Sequence, residues 1–107
     1  MRESEWLSTV IDAARLYGWK CAHFRSVRQQ RQDGSVYYST PVQADGEGWP
    51  DLVLLRPPRV IAAELKVGRN KPTEAQREWL ELMADCVMET YVWRPEDWDE
   101  IERTLRR

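Results

Sequence analysis

A chain of 107 residues that is 42% hydrophobic and 32% charged, with 16 Lys and Arg against 18 Asp and Glu, carries a formal charge of −2. It holds enough large apolar side chains, six Trp among them, for one core but too few residues for two, so a single domain over 1–107 is expected and a two-domain enzyme is excluded. The near-neutral charge argues against a protein that coats nucleic acid by bulk electrostatics, yet leaves room for a site that gathers carboxylates around a cation.

Residues 3 to 17 repeat Trp6, Leu7, Val10, Ile11, Ala14 and Tyr17 at three- and four-residue spacings before Gly18, which predicts an amphipathic helix. Lys20 to Val27 and Ser35 to Val42 read as two strands, expected to pair across a polar RQQRQDG segment that turns at Asp33-Gly34. Gln43 to Pro50 is a Gly- and Asp-rich loop. Asp51 to Arg56 and Arg59 to Val67 are β-prone runs around Pro57-Pro58 and form a central hairpin. Thr73 to Asp85 is helical with Thr73 as N-cap and an expected inward stripe of Ala75, Trp79, Leu82 and Met83. Val87 to Trp93 is a last strand, and Pro95 to Leu105 a last helix with Trp98, Ile101 and Leu105 inward. The order α-β-β-β-β-α-β-α predicts an α/β fold, a mixed central sheet flanked by helices. No apolar run nears the roughly 20 residues of a membrane span, and the acidic N-terminus is unlike a signal peptide, so no membrane partner and a cytoplasmic location are expected. Cys21 and Cys86 imply neither a disulfide framework nor a zinc cluster and are expected as two buried free thiols.

Chemistry concentrates between Gly48 and Lys66. Glu64 and Lys66 are two apart on a strand and project from one face with Val60 and Ala62, while Ile61, Ala63, Leu65 and Val67 project from the other. A hairpin centred on Pro57-Pro58 returns the chain so that Asp51 and Glu64 lie side by side. Two carboxylates and an ammonium then converge. Hard carboxylate oxygens suit Mg²⁺ or Mn²⁺, which retains waters, bridges to a phosphate oxygen and lowers the pKa of an attacking water. Lys66 would orient or deprotonate that water and stabilise the transition state, and the Leu65 carbonyl offers another hard oxygen. Glu3 heads the apolar stripe of the first helix, where a carboxylate is costly without compensation, and so is a third acidic site residue, with Glu5 as the alternative. Gln76, on the first turn of the helix after Lys66, is a further polar group facing the site.

Gly48-Trp49-Pro50-Asp51, Glu64-Leu65-Lys66 and Gln76 resemble the Pro-Asp…(Asp/Glu)-X-Lys nuclease pattern, in particular its VRR-NUC branch, over nearly the whole chain. The resemblance implies a restriction-endonuclease-like core, Mg²⁺- or Mn²⁺-dependent endonucleolytic cleavage of DNA, and the small stand-alone form of phages and bacteria. It would make Glu3, Asp51, Glu64 and the Leu65 carbonyl metal ligands, Lys66 catalytic and Gln76 supporting. Stand-alone members are similar to homodimeric Holliday-junction resolvases, which implies branched DNA and a homodimer. Apolar positions left over on the last helix or the Tyr37-Tyr38 strand are the residues available for such a contact.

Bland explanations compete at each position. Glu64 and Lys66 would form a structural salt bridge, and Glu3 would complement the helix dipole. His23, Arg25, Arg69 and Lys71 are candidate DNA contacts, with Arg28 and Arg31 bordering the same phosphate track, but a charge run is more often a solvated surface. Trp49, beside Asp51, is the tryptophan placed to meet DNA, although core packing is the commoner use of the residue. Rival functions are a non-catalytic DNA-binding or assembly module, and a nuclease acting on RNA or single-stranded ends.

Overall fold

The computed structural model describes residues 1–24, 27–39 and 42–107, with only the backbone of 27, 28 and 39. Its elements are α1 (Glu3–Leu16), β1 (Lys20–His23), β2 (Val27–Gln30), β3 (Val36–Ser39), β4 (Leu52–Arg56), β5 (Arg59–Leu65), α2 (Glu74–Ala84), β6 (Glu89–Trp93) and α3 (Trp98–Arg106). A single 3₁₀ turn, Pro95–Asp97, leads into α3, so the helix proper starts three residues later than Pro95 suggests.

The main sheet runs β1-β4-β5-β6, antiparallel except for the parallel β5–β6 pair, and is therefore mixed. Alternation along β5 sets its layers. Ile61, Ala63 and Leu65 join Leu52, Leu54, Trp6, Val10, Trp93, Ile101 and Leu105 in one core under α1 and α3, whereas Ala62 packs on the opposite face with Leu80 and Met83 of α2. Indole N–H groups tie the layers together: Trp6 Nε1 donates to the Trp93 carbonyl at 3.0 Å and Trp19 Nε1 to the Leu105 carbonyl at 2.9 Å. Arg56 and Arg59 lie over the Trp19 ring and donate to carbonyls at the end of α3, Leu105 and Thr104 among them, which satisfies acceptors a helix end leaves open.

Three expectations are corrected. The segment Lys20 to Val27 is not one strand paired with Ser35 to Val42. β1 instead pairs with β4, Phe24 N–H donates to the Asp51 carbonyl at 2.9 Å, and β2 pairs with β3 in a two-stranded ribbon of its own. The polar RQQ segment is thus strand, not turn. The loop is Gln32-Asp33-Gly34, with Gly34 at φ +90° and Asp33 Oδ1 accepting from Ser35 N–H and Oγ–H, a short closure that pairs the residues immediately flanking it. Secondly, Leu82 is exposed, and Leu80 takes the inward place beside Trp79 and Met83, because residues 76, 79, 80 and 83 share one face at three- and four-residue spacing and Leu82 falls off it. Thirdly, Cys86 is exposed just beyond α2 and Cys21 is half-buried on an edge strand, so neither is a buried thiol. Among the described residues no helix is long and apolar enough to cross a membrane.

Candidate active site

The β4–β5 register pairs Leu52 with Ala63, which sets Asp51 opposite Glu64 at the end of the ladder. Asp51 is not left to swing, since its Oδ2 accepts from the Leu65 N–H at 2.9 Å. The approach to Asp51 is shaped by Gly48, whose φ of +86° and close seat on the backbone of Ala75 admit no side chain: a Cβ would lie 2.5 Å from the Ala75 carbonyl carbon. Gly48 thereby lets the Trp49-Pro50-Asp51 segment lie directly on the first turn of α2.

Glu64 sits on the α2 face of β5 and is 1% exposed. Gln76 Nε2 donates to its Oε1 at 3.0 Å, and Lys66 Nζ lies 3.9 Å from the same oxygen. The Gln76 amide is oriented by a capping box. Thr73 N–H donates to Gln76 Oε1 at 2.8 Å and Gln76 N–H to Thr73 Oγ1 at 3.2 Å, so the oxygen end is occupied and the NH₂ end must face Glu64. Thr73 was legible as a cap, but its hold on Gln76 becomes meaningful only once the partner of that amide is known.

Glu64 Oε2 is buried without a hydrogen-bond partner among the described residues. The Asp51 carboxylate lies within hydrogen-bonding reach of Glu64, but two ionised carboxylates both accept and neither donates. Burial, then the Asp51 carboxylate as partner and as charge, with Glu3 adding repulsion and Lys66 opposing, pushes Glu64 up to about 9. A proton or a cation is what such a pair demands.

The remaining candidates fall at different distances from this pair. Glu3 is exposed on the first turn of α1 and lines a narrow cleft of about 210 Å³ with His23, Phe24, Asp51 and Leu65, whereas Glu5 is turned to Arg2 at 3.2 Å. Of the two acidic residues at the start of α1, Glu3 is the one at the cleft. Among the described residues no three His, Cys, Asp or Glu side chains lie close enough to share an ion, so Glu3 stands at the rim of the pair and not as a third member. The donor set still fits a hard cation: Mg²⁺ keeps most of its waters and is commonly held by one or two carboxylates plus substrate phosphate, and the orphaned Glu64 oxygen beside Asp51 supplies that arrangement.

His23 is exposed in the same narrow cleft. Trp49 borders a second cleft but is chiefly packing, its ring edge-on to Phe24 and Trp79 at centroid separations of 5.5 and 5.0 Å. Arg69 and Lys71 are exposed in the loop after Lys66, and neither lines a cleft that reaches Asp51. Arg25 and the side chain of Arg28 lie outside the described residues. What sequence reasoning passed over is the second cleft itself, about 600 Å³, where Arg31, Tyr37 and Tyr38 of the β2–β3 ribbon face Asp51 and Gln76. The available signal was the pair of large aromatic side chains Tyr37-Tyr38 on a strand rich in polar neighbours. Comparison of the chain with protein-family models, with curated proteins and with solved structures finds no match.

Proposed function

We propose that the chain is a metal-dependent endonuclease that hydrolyses DNA phosphodiester bonds, resembling the VRR-NUC branch with its restriction-endonuclease-like core and acting on branched DNA as a homodimer in a bacterial or phage-infected cell. The observation that carries this reading is the buried Glu64 oxygen beside Asp51, without a hydrogen-bond partner among the described residues, with Lys66 one residue past the end of β5 and 3.9 Å from the other Glu64 oxygen. A structural salt bridge explains it less well, since 3.9 Å from Lys66 leaves one carboxylate oxygen unsatisfied in a low-dielectric setting.

Mg²⁺ or Mn²⁺ held by Asp51 and Glu64 would supply Lewis acidity, lowering the pKa of an attacking water and offsetting charge on the phosphoryl oxygens. The chain's own groups do the positioning. The Leu65 N–H holds one Asp51 oxygen, and Gln76 holds one Glu64 oxygen while being held itself by Thr73. Lys66, its side chain 13% exposed, keeps its ammonium at the mouth of the pair, where it can orient water and stabilise charge that develops in the transition state. Glu3 and His23 border the path by which a backbone would reach Asp51. In a dimer, two such sites would address two strands. Trp98, Ile101 and Leu105 of α3 are committed to the core, so a dimer contact would draw on other exposed apolar residues.

The test is cleavage of a labelled four-way junction and of a matched linear duplex in Mg²⁺, Mn²⁺ or EDTA, comparing wild type with Lys66→Ala. Metal-dependent nicking that falls by about 100-fold or more in the variant is expected. Binding of DNA without cleavage under either metal would overturn the reading in favour of a non-catalytic module.

A further inference from the structure

We propose that the wide cleft between the β2–β3 ribbon and the first turn of α2 seats a single unpaired nucleobase next to the phosphate addressed at Asp51, with the Tyr38 ring as the stacking surface. The inference rests on the nuclease reading for the adjacent phosphate, whereas the chemistry of the cleft stands without it.

Asp51 is where two clefts meet. The narrow one, about 210 Å³ and bordered by Glu3 and His23, is smaller than the roughly 300–1,000 Å³ of ordinary ligand sites, whereas the wide one, about 600 Å³, falls within that range. A polynucleotide crossing Asp51 therefore has room for a bulky group on one side only. The lining of the wide cleft selects that group. Tyr38 is 69% exposed and Tyr37 36%, on a ribbon that among the described residues forms no ladder with the main sheet. Such rings on a surface strand are not core. The Arg31 guanidinium lies 4.2 Å from the Tyr37 ring centroid and covers that ring face, which fixes one positive charge at the cleft edge and leaves Tyr38, its neighbour on the alternate face of β3, as the more open ring.

Glu47 lines the same cleft, and Asp45, Glu47 and Glu78 make the neighbouring groove acidic. Phosphates are repelled there, while a base, which carries N–H donors and no charge, is accepted. The phosphate of that nucleotide is left to Arg31 and to the site at Asp51. A base inside a duplex has both faces covered by its neighbours and its pairing edge occupied, so only an unpaired or extruded base can lie on the Tyr38 ring. Branch points, flaps and single strands offer one; a perfect linear duplex does not.

The experiment is binding of a short single-stranded oligonucleotide containing 2-aminopurine to the full chain in EDTA, read by quenching of the base and by anisotropy, alongside nicking in Mg²⁺. Wild type is expected to quench the base on binding. Tyr38→Ala, with unchanged thermal unfolding, should bind at least about fivefold more weakly and lose the quench. Arg31→Gln should flatten the salt dependence of binding by about 0.7 in the log–log slope. Nicking without quenching overturns the base seat and leaves the nuclease reading standing; quenching without nicking does the reverse. If Tyr38→Ala dissociates a wild-type dimer in sedimentation while oligonucleotide binding is unchanged, the face belongs to a second copy and the proposal fails.

Discussion

Replacing Glu64 with Gln should stabilise the metal-free protein at neutral pH, although it removes a buried side chain's ability to ionise and touches the centre of the site. The reason is linkage. In the folded chain the Glu64 carboxyl titrates at about 9, against about 4.5 when exposed, so folding at pH 7 requires the group to take up a proton. Each pH unit between the exposed value and the working pH costs about 1.4 kcal/mol, which gives about 3 kcal/mol at pH 7. The sign follows: this contribution is absent as a penalty below about pH 4.5, where both states are protonated, and grows as the pH rises toward 9. Gln reproduces the protonated acid, with its oxygen accepting from Gln76 Nε2 and its NH₂ donating to Asp51. For a domain of this size 3 kcal/mol corresponds to a rise in Tm of about 10 °C or more at pH 7. Thermal unfolding of both proteins in EDTA from pH 4.5 to 9 provides the check. The two Tm curves should converge at the acid end and diverge steadily as pH rises. Curves that run parallel, or a variant that is the less stable at pH 8, would refute the protonated, buried carboxyl.

Other outcomes follow from the same geometry. Gln76→Ala removes the side-chain half of the capping box, the Thr73 N–H to Gln76 Oε1 bond, and the donor to Glu64, and should lower stability by about 1–2 kcal/mol in urea unfolding while also depressing any metal-dependent cleavage. Gly48→Ala forces a Cβ into the Ala75 backbone at a positive φ, so a loss of about 2 kcal/mol or more is expected by the same measurement, and the displaced Asp51 should lower cleavage with it. Arg59→Ala breaks two 2.7 Å contacts with Glu89 and the bond to the Thr104 carbonyl, at a cost of about 1–3 kcal/mol at pH 7. Arg59 holds the Glu89 carboxyl below its ordinary value, so the gap between wild type and this variant should be full above about pH 4.5 and shrink as the pH falls through the lowered value.

The local pattern of the chain was sufficient wherever one segment's own periodicity decides its structure. Trp6, Val10 and Ala14 on α1, the alternation of Ile61, Ala63 and Leu65 against Ala62 and Glu64 on β5, and Ile101 with Leu105 on α3 lie on the faces their spacing predicts. The approach of Asp51 to Glu64 was equally legible, because a tight turn at Pro57-Pro58 leaves one register open to the two flanking strands. Pairing between distant segments was not. Nothing within Lys20 to Val27 reveals that its first half ladders with β4 and its last residue begins a ribbon, because a strand's edge shows no preference among partners until the sheet is assembled. Glu3 illustrates the same boundary: its place on the helix stripe was readable, but its position at the rim of the carboxylate pair depends on how α1 lies across the sheet. Most of all, the burial that lifts Glu64 to about 9 and the amide that Thr73 turns toward it belong to α2 packing over β5. Sequence spacing sets which groups share a face; only packing sets how much water they lose, and with it the charge they can carry.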